Sequence, residues 1–176
     1  MKIFALRHGH TNYNQLGLCN GDPTVDVHLT STGIGQAEAA AEVLKEEPLE
    51  HIFVSQLPRT RETAIIINRF HGVGIESHPG LNDIVTGCEG QPVSVYLSKI
   101  AKDRLRTRPD NGESLLDYKA RVLGFVESLN GLSFHTVALV AHEETLRILY
   151  GHFRGLKDEA LASLNFRNCQ ILLFEI

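Results

Sequence analysis

The sequence has only three cysteines, and Cys19, Cys88 and Cys169 are scattered, odd in number and without a Cys-x-x-Cys pair. Such a set gives no disulfide framework and reads as the reduced thiols of a cytoplasmic protein. No apolar run approaches the length of a membrane span, and the N-terminus lacks a signal-peptide pattern. A surplus of positive charge is missing too: 17 basic residues face 21 acidic ones, for a formal net charge of −4. No global field therefore draws in nucleic acid or an anionic membrane, and any anion site must be a local cluster. Internal repeats, low-complexity segments and linkers are absent. What remains is 176 residues, 43% hydrophobic, enough for one globular domain over residues 1–176 with a real core.

A local cluster of the required kind stands near the start. Ile3, Phe4 and Leu6 mark a short strand that turns abruptly cationic at Arg7-His8-Gly9. Such a strand delivers a guanidinium and an imidazole to a sheet edge, where open α/β sheets place ligands. Gly9 lets the backbone turn away at once. The planar fork of Arg7 grips two oxygens of an anion while the ring of His8 attacks or donates, and phosphate is the anion expected. His8-x-His10 in extended backbone also puts two rings on one side, so a metal-dependent hydrolase is a competing reading.

Farther along, strand and helix patterns alternate. Tyr13 to His28 reads as a surface loop around the turn Asn20-Gly21-Asp22-Pro23. Thr30 then caps a helix with an apolar face of Ile34, Ala37, Ala41 and Leu44, Gly33 in its first turn and Pro48 beyond its end. After a short strand, Ile52 to Val54, Pro58 suits the first turn of a helix and places Arg59 among unpaired backbone donors. A cation is unwelcome there unless an anion joins it; taken alone, Arg59 would be a solvated side chain. Ile75 to His78 forms an edge strand. Ser114 and Asp117 make a capping box for a helix bearing Leu115, Tyr118, Val122, Phe125 and Leu129.

Thr136 to Ala141 is a continuous apolar run, the mark of a buried central strand, and it stops at His142. A lone buried histidine is structural; two strands ending in imidazoles, with two arginines at hand, point to a site. Leu161 to Leu164, a turn at Arg167-Asn168 and a strand from Gln170 to Glu175 close the chain. The fold expected is a three-layer α/β/α sandwich around a mostly parallel sheet.

These residues resemble the motifs of the histidine phosphatase superfamily, the phosphoglycerate mutase-like proteins. Arg7, His8, Gly9, Thr11 and Asn14 fit its first motif, and Leu29-Thr30, Gly33 and Gln36-Ala37 fit the stretch after it. Ser55, Leu57, Arg59, Thr63 and Ala64 satisfy its second motif, Pro109-x-x-Gly-Glu-Ser resembles its third, and His142 with Arg147 its last. Two stretches depart. The family has Leu-x-Glu-Ile, with the Glu generally assigned as proton donor, where this chain has Leu81-Asn82-Asp83-Ile84 and is one residue short before Glu89-Gly90. Glu143 and Glu144 replace small residues after His142.

The resemblance implies a phosphomonoesterase that works through phosphohistidine and uses neither metal nor cofactor. His8 would be the nucleophile, its other nitrogen fixed by a backbone carbonyl. Arg7, Arg59 and a protonated His142 would bind the non-bridging oxygens, and Asp83 would be the acid, with Glu89 and Glu113 as its understudies. Substrate contacts would come from Thr11, Asn14, Gly21 and Glu143. Glu143 would narrow the pocket and keep His142 protonated, unless it and Glu144 merely suit a helix's first turn. The expected partner is a small phosphorylated metabolite such as a sugar phosphate or ribazole phosphate. The family's mutases are longer, so hydrolysis is expected over phosphate relocation. A mutase-type phosphotransferase, a protein phosphohistidine phosphatase and a phospho-ligand binder without turnover are the alternatives.

Overall fold

The computed structural model describes residues 1–176 and contains five strands: β1 (Lys2–Arg7), β2 (His51–Val54), β3 (Gly74–Ser77), β4 (Thr136–Ala141) and β5 (Ile171–Glu175). They form one sheet in the order β3-β2-β4-β1-β5. The first four run parallel, and β5 lies antiparallel on β1. This is the mostly parallel sheet expected. The apolar run of β4 is buried at every residue, because both faces of a central strand are covered.

Six α-helices connect these strands: α1 (Asn12–Leu16), α2 (Ser31–Leu44), α3 (Pro58–Ile67), α4 (Val93–Lys99), α5 (Leu115–Ser128) and α6 (Glu143–Phe153). The side-chain alternation of the strands divides the core in two. Phe4, Leu6, Ile52, Val54, Ala138 and Val140 pack against α2 and α3. Ile3, Ala5, Phe53, Val137, Leu139 and Ala141 face the other way, toward α5 and α6. Each large apolar side chain fully buried in these layers contributes roughly 1.5–3 kcal/mol, so the seams around β4 dominate the stability.

Three expectations are corrected. Ile34 does not face the core: it is 44% exposed, and Ala40 joins Ala37, Ala41 and Leu44 on the buried stripe of α2. The Tyr13 to His28 stretch is not all loop, since α1 opens at Asn12 under a capping box formed by Thr11 and Asn14. Gly33 is required rather than tolerated. A Cβ there would stand 2.0 Å from His10 O, and one on Gly9 would stand 2.6 Å from Gly33 O. The first turn of α2 thus rests directly on the backbone that follows β1, and fixes where that strand ends.

Candidate active site

His8, Ser55 and His142 each follow the last residue of a strand, β1, β2 and β4 in turn, and those strands are neighbours in the sheet. Topology alone therefore brings them to one carboxyl edge. The rings of His8 and His142 lie 5.3 Å apart between centroids, edge to face. His8 lines a cavity of about 180 Å³ together with Arg7, Arg59 and Asp83, while His142 does not line it and meets Arg59 and Asp83 instead.

His8 is buried, with Nδ1 2.7 Å from Gly9 O. A carbonyl only accepts, so Nδ1 carries the proton and Nε2 the lone pair. Arg59 Nε donates toward that lone pair at 3.1 Å. Burial first, then the nearby charge of Arg59, holds the His8 pKa well below its ordinary value. Asn168 Nδ2 donates to His8 O at 2.9 Å and steadies the backbone there.

Arg59 is the hub of the site, at 4% exposure. Besides His8, its Nη1 donates to Asn20 Oδ1, and Nη2 reaches Asn20 O at 3.1 Å, Asp83 Oδ2 at 3.0 Å and His142 Nδ1 at 3.2 Å. Pro58 opens α3, as the sequence predicts, and puts Arg59 in that helix's first turn. Asp83 also accepts from Ile84 N at 2.9 Å and lies 3.4 Å from His142 Nδ1. Burial raises its pKa against the opposing pull of Arg59.

His142 departs from the expectation of a charged ring. Its Nδ1 faces the Arg59 donor, so Nε2–H donates to Ser55 Oγ at 2.9 Å. Burial, then the charges of Arg59 and Arg7, lowers its pKa well below the ordinary value. With only protein charges around it, this imidazole is neutral. Glu143 does not turn toward it. Its Oε2 accepts from Arg7 Nη1 at 2.6 Å and its Oε1 from Arg147 Nη2 at 2.8 Å. Arg7 also donates to Phe166 O at 2.9 Å, while its buried Nε has no partner.

The remaining candidates separate. Thr11 Oγ1 accepts from Asn14 N, and Asn14 Oδ1 accepts from Thr11 N; this leaves the Asn14 amide nitrogen free at the cavity. Gly21 lies outside the cavity lining, its N–H donating to Glu89 Oε2 at 2.7 Å. Glu89 is thereby committed to the 20–22 turn, and Glu113 to Val85 N and Arg121. His10 directs Nδ1 to Thr30 Oγ1 at 3.0 Å rather than joining His8, and no three His, Cys, Asp or Glu side chains group as metal ligands.

Three lining residues had no signal, or the wrong one, in the sequence. Asn20 reads as turn chemistry yet orients Arg59, and Glu144 reads as a helix starter yet faces the cavity. Tyr96 sits on α4, a helix too short for periodicity to reveal. The segment that leads into α4 and the first residue of that helix are stitched to the first loop by Cys19 N to Gln91 O at 2.9 Å and Val93 N to Gly17 O at 2.9 Å. These bonds build the walls of the cavity.

A model described as the histidine phosphatase superfamily (branch 1) matches residues 3–176. A protein of Photorhabdus laumondii named "Probable phosphoglycerate mutase GpmB" is 31% identical over 180 residues, covering 97% of this chain and 83% of that one. Among solved structures, the alpha-ribazole phosphatase of Shigella flexneri has a TM-score of 0.89 at 23% identity, over 100% of this chain and 91% of that one. A mycobacterial glucosyl-3-phosphoglycerate phosphatase, in complex with VO3, has a TM-score of 0.82 at 26% identity, over 98% and 90%.

Proposed function

The chain belongs to branch 1 of the histidine phosphatase superfamily, and from that premise we propose that it is a metal-independent phosphomonoesterase acting on a small phosphorylated metabolite. The observation that carries the reading is His8 Nε2: an unprotonated nitrogen at the carboxyl edge of β1, met by the Arg59 guanidinium at 3.1 Å with the charge of Arg7 nearby, and its ring held by Gly9 O. A neutral imidazole with a fixed lone pair is what a nitrogen nucleophile needs.

In this reading Nε2 attacks phosphorus as the ester P–O bond breaks. Phosphoryl transfer has a loose transition state, so positioning and charge supply most of the catalysis. Arg59 and Arg7 take the non-bridging oxygens, Arg7 through the Nε that has no protein partner. Asn14 adds its free amide as a neutral donor. Asp83, kept protonated to a higher pH by burial, gives its proton to the leaving alcohol oxygen. It then takes one from the water that cleaves phosphohistidine and releases phosphate. His142 and Ser55 position Arg59 and Asp83 from below.

The curated relatives named as mutases favour a second reading, return of the phosphoryl group to a phosphoglycerate. Hydrolysis of p-nitrophenyl phosphate separates the two, measured in excess chelator and with vanadate, which the mycobacterial relative binds. The expected result is steady turnover that chelator leaves unchanged and vanadate inhibits. Turnover that needs added metal, or none without a phosphoglycerate acceptor, contradicts the proposal.

A further inference from the structure

The cavity carries a charge pattern that phosphoryl transfer does not require. Two arginines line it, Arg7 and Arg59, and both stand beside His8. Three carboxylates line it as well: Asp83, Glu143 and Glu144. Glu143 is occupied by Arg7 and Arg147. Glu144 is held through Oε1 alone, by Arg147 Nη1, which leaves Oε2 without a protein partner. Arg147 is fully engaged, because its Nε donates to Leu164 O at 2.7 Å and its Nη2 to Glu143. Leu18, Ile84, Val93 and Tyr96 supply apolar or neutral surface.

We infer that Glu144, set in place by Arg147, is a specificity-determining residue that admits phosphomonoesters of neutral alcohols and rejects those whose alcohol bears a carboxylate. This rests on the phosphomonoesterase reading and narrows its substrate class. An ester bound with its phosphoryl group between Arg7 and Arg59 extends its alcohol into a space that offers no third cation. A hydroxyl there donates to Glu144 Oε2. A carboxylate there meets a like charge in a partly desolvated cavity, where repulsion is screened far less than in water. Phosphoglycerates, the esters in the names of several relatives, are on the rejected side.

The charge state of Glu144 gives the inference a second handle. The groups that act on it are Arg147 and Glu143 from α6, Asp83 from the 82–84 segment, and Arg104, which lines an adjoining pocket with Tyr96, Arg147 and Glu144 itself and does not line this one. Burial is the largest influence, and it pushes the Glu144 carboxyl up to about 7. Below that pH Glu144 is protonated and neutral, so the rejection of carboxylates weakens as pH falls.

Glycerol 3-phosphate and 3-phosphoglycerate are a matched pair, differing in a CH2OH group against a carboxylate. The ratio of their kcat/KM values is measured at about pH 8 and about pH 6, for the wild type and Glu144→Gln. The wild type should prefer glycerol 3-phosphate at least roughly tenfold at the higher pH. That ratio should fall severalfold at the lower pH, and in Glu144→Gln it should be smaller and indifferent to pH. If the variant does not fold, the pH dependence of the wild-type ratio decides alone. Hydrolysis of both esters with a ratio that neither pH nor the substitution moves overturns the inference. Failure to hydrolyse either ester or p-nitrophenyl phosphate instead overturns the phosphomonoesterase reading beneath it.

Discussion

Arg59 shows how one side chain organises a site. Its guanidinium touches His8, Asn20, Asp83 and His142, which come from four separate segments of the chain. Asp83 is the partner whose role is most open to test, because a carboxylate that binds Arg59 and a carboxylic acid that gives up a proton behave differently. Its folded pKa is raised by burial, so the acid form persists above the ordinary range and is lost as pH rises through the raised value. Turnover of an alkyl phosphate should therefore fall on the alkaline side, since its poor leaving group needs the proton. Asp83→Asn keeps an oxygen for Arg59 but has no proton to give. It should lower kcat on glycerol 3-phosphate by about 10²–10⁴-fold, and much less on p-nitrophenyl phosphate, whose leaving group departs unaided. Steady-state kinetics on the two esters check this; equal losses would make Asp83 a brace for Arg59 rather than the acid.

At the level of elements, the ends of strands were legible and the walls between them were not. Arg7-His8 and His142 could be read because an apolar run that stops at a polar residue marks a sheet edge, whereas Arg59, solvated when taken alone, was readable through Pro58 at a helix start and the resemblance. Asp83 was readable only through the resemblance. The short helices α1 and α4 were missed, since five and seven residues carry too little periodicity. The bonds that stitch their loops together join residues some seventy positions apart, which no local pattern records. By sequence alone Gly33 is a residue that the first turn of α2 tolerates, because the contact that demands it lies on another segment. Gly33→Ala should destabilise the protein by about 1–3 kcal/mol through overpacking against His10 O, and should cut turnover by displacing His8. Gly35→Ala, two residues along α2 with open space around it, should instead stabilise by roughly 0.5–1 kcal/mol. Urea unfolding of both variants measures the contrast, and equal effects would deny the close approach.

For the molecule as a whole, a net charge of −4 leaves anion recognition to one corner of the sheet. There the layers converge: α3 brings Arg59 from one face, α6 brings Glu143 and Glu144 from the other, and the ends of β1 and β4 supply the imidazoles. The sandwich was legible because alternation and apolar runs report burial on each face of a sheet. The protonation of His142 was not, because it depends first on how deeply the fold buries that ring and then on the guanidiniums gathered around it. The central claim is that His8 Nε2 takes the phosphoryl group. Rapid quenching of turnover into alkali, followed by mass spectrometry and phosphorus NMR of the peptide holding residue 8, tests it most directly. A phosphoryl group on His8 Nε2, absent from a His8→Ala variant that has lost turnover, is the result predicted. Phosphate on another residue, or full turnover by His8→Ala, would contradict it.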